Sequence, residues 1–202
     1  MEKMSSSREE SITKHGLILH AVAVSAPEGA ILILGHSGAG KSTLGRALAE
    51  KFPLLADDNV YLTTGILHKR WFVADAKLLH LQQPQFRPLL GAIRTFQAPQ
   101  VRLTPIGPRQ TCRFLLDALY EVEGMRLGSL EQQKHWFGCL AEVARQVPGW
   151  RLSATLGRET AQLVFDCFAQ NTIVDEQIFA DPEKVSNDTS VGLAGQTIQK
   201  GV

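Results

Sequence analysis

The stretch Ala30–Ser42, AILILGHSGAGKS, decides the architecture of this chain. Ile31, Leu32, Ile33 and Leu34 form a short continuous apolar run, as a buried strand does. Gly35 to Ser42 then match the phosphate-binding pattern G-x-x-x-x-G-K-[ST]. Phosphate oxygens need several N–H donors in a small volume, so backbone amides must approach without Cβ atoms between them. Gly35, Gly38 and Gly40 allow that approach. Leu44, Ala47, Leu48 and Lys51 follow at helical spacing in a stretch rich in helix formers. A helix starting there offers its N-terminal amides and dipole to an anion. Lys41 supplies a point charge for the outer phosphates, and the Ser42 hydroxyl suits the coordination shell of Mg²⁺.

Upstream, His20–Val24 (HAVAV) alternates as a strand, and Ser25–Gly29 (SAPEG) carries turn chemistry at Pro27 and Gly29. Five turn residues are too few for a parallel crossover, so this strand and Ala30–Leu34 are expected to pair antiparallel. Downstream, Phe52-Pro53 ends the helix, and Leu54–Ala56 reads as a short buried strand ending in Asp57-Asp58. Two adjacent carboxylates beside such a loop suit two tasks. One can hold Mg²⁺ and the other can take a proton from an attacking hydroxyl. Side chains alternate along a strand, so the pair should point in different directions.

Further strands are expected at Val60–Thr64, Trp71–Ala74, Leu89–Phe96, Val101–Ile106 and Trp150–Leu156. Helices are expected from Pro108 through Val122, from a Ser129/Gln132 capping box to Pro148-Gly149, and around Ala161–Phe168. His68, Lys69 and Arg70 read as a solvated basic turn, and Leu78–Pro88 as an irregular connection. The expected organisation is a flexible leader over 1–14, one P-loop domain over 15–170 and a weakly structured tail over 171–202.

The whole-chain balance excludes several classes of partner. The 202 residues carry a formal net charge of +1, and the sequence shows no basic-aromatic patch, so nucleic acid is not expected. No apolar run approaches the ~20 residues of a membrane helix, and no signal-peptide pattern opens the chain. Cys112, Cys139 and Cys167 are far apart and lack metal-ligand spacing. They read as buried thiols in a reducing, cytoplasmic setting.

The segment from His20 through Thr43, followed by LLADDNVYL, resembles the catalytic domain of the HPr kinase/phosphorylase family, and most of all its shorter HPr-kinase-related members. That resemblance implies an α/β (α+β) fold with a mixed, largely antiparallel sheet, a P-loop and flanking helices, related to phosphoenolpyruvate carboxykinase. It implies ATP and Mg²⁺ as cofactors and a kinase reaction onto a serine-like hydroxyl of a protein, peptide or small molecule. It places Gly35, Ser37, Gly38, Ala39, Gly40, Lys41, Ser42 and Thr43 on the nucleotide loop. Asp57 falls on the carboxylate that acts as base, Asp58 on its metal-associated neighbour beside Ser42, and His20 on a histidine near the phosphates. Full-length members form hexamers, so self-association is compatible with the resemblance.

Two departures stand against the family pattern. The Glu-x-Arg-Gly-Leu-Gly-Ile segment is not found; the nearest stretch, Leu89–Phe96 (LLGAIRTF), has no acid. His36 stands where an aspartate is common. The resemblance therefore does not single out HPr as acceptor, and Arg87, Arg94 and Arg109 are the arginines to consider for a transition-state role. Two other readings remain open: a gluconate- or shikimate-type small-molecule kinase, which requires a parallel sheet, and a nucleotide-binding accessory protein with little catalysis.

Overall fold

The computed structural model describes residues 16–65, 70–80, 84–123, 128–155 and 157–171. The leader over 1–14, His68, Lys69, Leu156 and the tail beyond Asn171 lie outside the described residues, as do residues 81–83 of the irregular connection.

The strands are β1 (Gly16–His20), β2 (Val22–Ala26), β3 (Gly29–Leu34), β4 (Leu54–Ala56), β5 (Asn59–Thr64), β6 (Trp71–Asp75), β7 (Arg87–Gln97), β8 (Arg102–Ile106) and β9 (Gly149–Ala154). The helices are α1 (Lys41–Leu48), α2 (Pro108–Glu123), α3 (Leu130–Gln146) and α4 (Arg158–Asn171). The strands join in the order β1-β5-β6-β7-β3-β2-β4, with β9 also on β7 and β8 on β9. β7 is parallel to both β3 and β9; every other pairing among the described residues is antiparallel. The sheet is therefore mixed and largely antiparallel. The β2–β3 hairpin turns at Pro27-Glu28, tighter than the turn read from sequence.

The apolar run of β3 is buried on both faces, which explains why it does not alternate with polar residues. Ala30, Leu32 and Leu34 face one cluster, with Leu115, Ala118 and Leu119 of α2 and Leu140, Val143 and Ala144 of α3. Ile31 and Ile33 face the other, with Leu44 and Leu48 of α1 and Ala161, Val164 and Phe168 of α4. Helices on both faces thus clamp the strand that leads into the Gly-rich loop. Ser129 caps α3 by accepting from the Gln132 amide at 3.2 Å. None of the described helices is long and apolar enough to cross a membrane.

Two strand readings need correction. HAVAV is not one strand: β1 ends at His20, and β2 starts at Val22. β1 pairs with β5, whereas β2 pairs with β3 and β4, so the chain changes partners at Ala21. The Ala21 amide instead donates to the Asp58 carbonyl at 3.1 Å. β4 is an edge strand, not a buried one: Leu54 is 41% exposed and only Ala56 is buried.

Close packing at the crossing of β7 with α4 yields a first prediction. A Cβ on Gly91 would lie 2.6 Å from the Trp150 ring and 2.8 Å from the Phe168 ring. Those rings pack edge to face at 4.8 Å. Gly91→Ala is expected to cost about 2 kcal/mol, because neither ring can move without breaking that pair. Thermal unfolding should fall by roughly 4–8 °C; an unchanged melt would show that the crossing relaxes freely.

Candidate phosphate-binding site

The loop between β3 and α1 is held from behind by β7. Thr95 donates its hydroxyl to the Leu34 carbonyl at 3.1 Å, and Gln97 reaches the Gly38 carbonyl at 3.2 Å. A side chain at position 35 would collide with Thr95 Oγ1, 2.5 Å from where its Cβ would sit. Gly38 and Gly40 adopt φ of +76° and +86°, the left-handed region that other residues rarely tolerate. Gly40 is the N-cap of α1 and contributes no capping side chain, which leaves the first-turn amides without a side-chain cap. Ser37 and Thr43 are exposed around it, and Ala39 is half-buried.

Lys41 begins α1 and is 7% exposed. Its ammonium donates to the Gly35 carbonyl at 2.7 Å and the His36 carbonyl at 3.2 Å, folded over its own loop. Burial pushes its pKa below the ordinary lysine value; Glu121 opposes that shift most strongly, and Arg94 adds to it.

Asp57 and Asp58 follow β4 and do point apart. Ser42 donates its hydroxyl to Asp57 Oδ1 at 2.8 Å. Asp58 sits at φ +89° and turns its carboxylate to His20 Nδ1 at 3.4 Å and Lys77 Nζ at 3.9 Å. His20, at the end of β1, also lies 3.7 Å from Glu121 Oε2. The structure thus gathers Lys41, Ser42, Asp57, Asp58 and His20 about one loop.

Sequence reasoning missed Glu121. This residue of α2 bonds His36 Nδ1 at 3.1 Å and lies 4.0 Å from Lys41 Nζ. It belongs to no motif. The available signal was its place three residues after Ala118 and seven after Phe114, at the margin of α2's apolar stripe.

The three candidate arginines separate cleanly. Arg87 donates to the Ala26 and Pro27 carbonyls, at the end of the sheet away from the loop. Arg109 is exposed on the first turn of α2. Arg94 pairs in register with Leu34, immediately before the loop, and is 2% exposed. It lies 3.6 Å from Asp117 and 2.7 Å from His36 Nε2. A guanidinium only donates, so His36 accepts at Nε2 and carries its proton on Nδ1, which faces Glu121. Arg94 Nε and Nη1 are buried without a partner. Burial pushes its pKa down, against Asp117 and Glu121, which pull it up.

Cys112 is buried and Cys139 and Cys167 are half-buried, and burial raises the pKa of each thiol. They are far from the thiolate form at neutral pH.

No family model matches the chain, and no curated protein matches it. Among solved structures, that of the Hpr(Ser) kinase/phosphatase from Coxiella burnetii is similar, with a TM-score of 0.41 and 15% identity, covering 79% of this chain and 92% of that one.

Proposed function

We propose that this chain is a phosphotransferase that binds ATP with Mg²⁺ and moves the γ-phosphoryl group to a serine-like hydroxyl. The observation that carries this reading is the 2.8 Å bond from Ser42 to Asp57 at the mouth of a left-handed glycine loop. A hydroxyl and a carboxylate are hard oxygen donors, the set that suits Mg²⁺. When bound, Mg²⁺ supplies charge stabilisation and orientation to the phosphates.

The chain's own residues divide the remaining work. Loop and α1 amides take the phosphate oxygens, and Lys41 exchanges its two carbonyl partners for phosphate charge. Asp57 orients Ser42 and lies on the metal side. Asp58 is 53% exposed and faces His20, where an incoming hydroxyl can reach it, so it takes the hydroxyl proton. The family resemblance implies the reverse division of the two aspartates; the Ser42–Asp57 bond favours this one.

Mixing the protein with γ-labelled ATP, Mg²⁺ and extract of its own host should label an acid-stable, serine-like ester on one acceptor. Tight ATP binding with no labelled species would instead favour an accessory nucleotide-binding protein. The small-molecule kinase reading requires a parallel sheet, and the antiparallel β2–β3 pair is against it.

Glu121 gives a prediction specific to this arrangement. Its carboxylate sits where it competes with phosphate for Lys41 and His36. Glu121→Gln should tighten ATP binding about twofold to fivefold, the scale of a partly exposed ion pair. Titration with a fluorescent ATP analogue reads this directly, and weaker binding would mean that the carboxylate assists the ligand's cation instead.

A further inference from the structure

A second site lies on the outer face of the helical pair α2 and α3. A groove of about 460 Å³ runs between them, lined by Pro108, Arg109, Cys112, Arg113, Leu116, Phe137, Ala141 and Arg145. Its floor and walls are apolar: Cys112 is buried, Leu116 and Ala141 are half-buried, and the Phe137 ring is 54% exposed. Three guanidiniums stand on the rim. Arg109 and Arg113 are one helical turn apart on α2, and Arg145 faces them from α3. Arg145 and Gln146 both bond Glu142 on α3.

Each property narrows the occupant. The exposed Phe137 ring adjoins Cys112, Leu116 and Ala141, so the apolar surface is a contiguous groove and not a single side chain. Arginines on both ridges select negative charge, and their planar donor forks suit carboxylates. The groove runs between two helices joined by a short connection, the shape that receives a third helix by its apolar face. A flat anionic surface cannot follow a concave floor. A nucleic-acid strand needs successive stacking rings, whereas this floor offers one.

We propose that this groove docks an acidic amphipathic helix of a partner protein, with apolar side chains on Phe137 and Leu116 and carboxylates on Arg109, Arg113 and Arg145. The site is separate from the phosphate loop. Arg109 and Glu121 share α2, but twelve residues of helix hold them about 18 Å apart along its axis. The proposal does not depend on the phosphotransfer reading.

The test uses the full chain and a fluorescein-labelled 16-residue peptide carrying Leu at helical spacing and Glu on its flanks. Fluorescence anisotropy should show saturable binding that weakens as salt rises. Phe137→Asp and Arg113→Glu should each weaken it at least tenfold. Neither variant should change the far-UV circular dichroism or the thermal melt, which shows that the fold is intact. Failure of the peptide to saturate would overturn the proposal. So would equal binding of a scrambled peptide of the same composition, or of the two variants. Binding to phosphatidylglycerol vesicles or duplex DNA without peptide binding would also overturn it.

Discussion

Lys41→Ala is expected to lower ATP affinity about a hundredfold or more while leaving the melting temperature of the unliganded protein within about 3 °C. The two halves have different physical origins. In the proposed ATP complex Lys41 is the charge nearest the outer phosphates, and removing one partner of a buried, charge-assisted pair costs about 2–5 kcal/mol. In the free state the same ammonium is 7% exposed and is satisfied by two carbonyls of its own loop. Those bonds offset the cost of burying it, so its loss leaves stability nearly level. The depressed pKa shows that burial still outweighs the attraction of Glu121, so losing the charge does not weaken the free fold. Phosphate prefers the charged lysine, so binding raises the lysine's pKa and takes up a proton. Affinity should therefore be full below the free-state pKa and fall as pH rises through it. For stability the sign is opposite. The folded state releases this proton before the unfolded chain does, so Lys41 alone makes stability rise with pH between its lowered value and 10.5. Calorimetric titration over alkaline pH, with the alanine variant as the flat control, checks both. A wild-type affinity that did not change with pH would place the phosphates elsewhere.

What the sequence showed of this site divides along a physical line between local and tertiary determinants. The strand-loop-helix unit from Ala30 to Leu48 was legible because each part is set by neighbours in the chain: an apolar run, glycines that permit left-handed φ, and helix formers. The β2–β3 hairpin was legible because a short turn leaves one way to pair. The break at Ala21 was not, because GLILHAVAVSA has no breaking residue there. What separates β1 from β2 is the choice of partner strand, which no local pattern encodes. β4 read as buried because Leu54-Leu55-Ala56 is apolar, yet its exposure follows from its place at the sheet edge. Glu121 reaches Lys41 across eighty residues of chain because α2 packs over β1 and β3. Arg94 entered on the same footing as Arg87 and Arg109; only the parallel register of β7 on β3 puts it beside the loop. The Asp57-Asp58 pair was visible as chemistry, but the contact of Asp57 with Ser42 was not. Which carboxylate meets Ser42 depends on the left-handed turn at Asp58.

Asp57→Asn and Asp58→Asn should both lower phosphotransfer, by about a hundredfold to ten-thousandfold, but for reasons that one titration separates. Asp57 accepts the Ser42 proton at 2.8 Å. An amide oxygen at position 57 can still accept that bond, but it has lost the charge that favours a dication beside Ser42. ATP binding should then weaken mainly when Mg²⁺ is present, and raising Mg²⁺ should restore part of the rate. Among the described residues Asp58 bonds or pairs with His20, Lys77 and Asn59, whereas Asp57 bonds Ser42. An asparagine there should leave ATP and Mg²⁺ affinity near wild type and lower the turnover number, with no rescue by Mg²⁺. The opposite pattern, with Mg²⁺ rescue at position 58 and none at position 57, would return the base to Asp57. The Ser42 bond would then be a feature of the empty loop that the incoming nucleotide breaks.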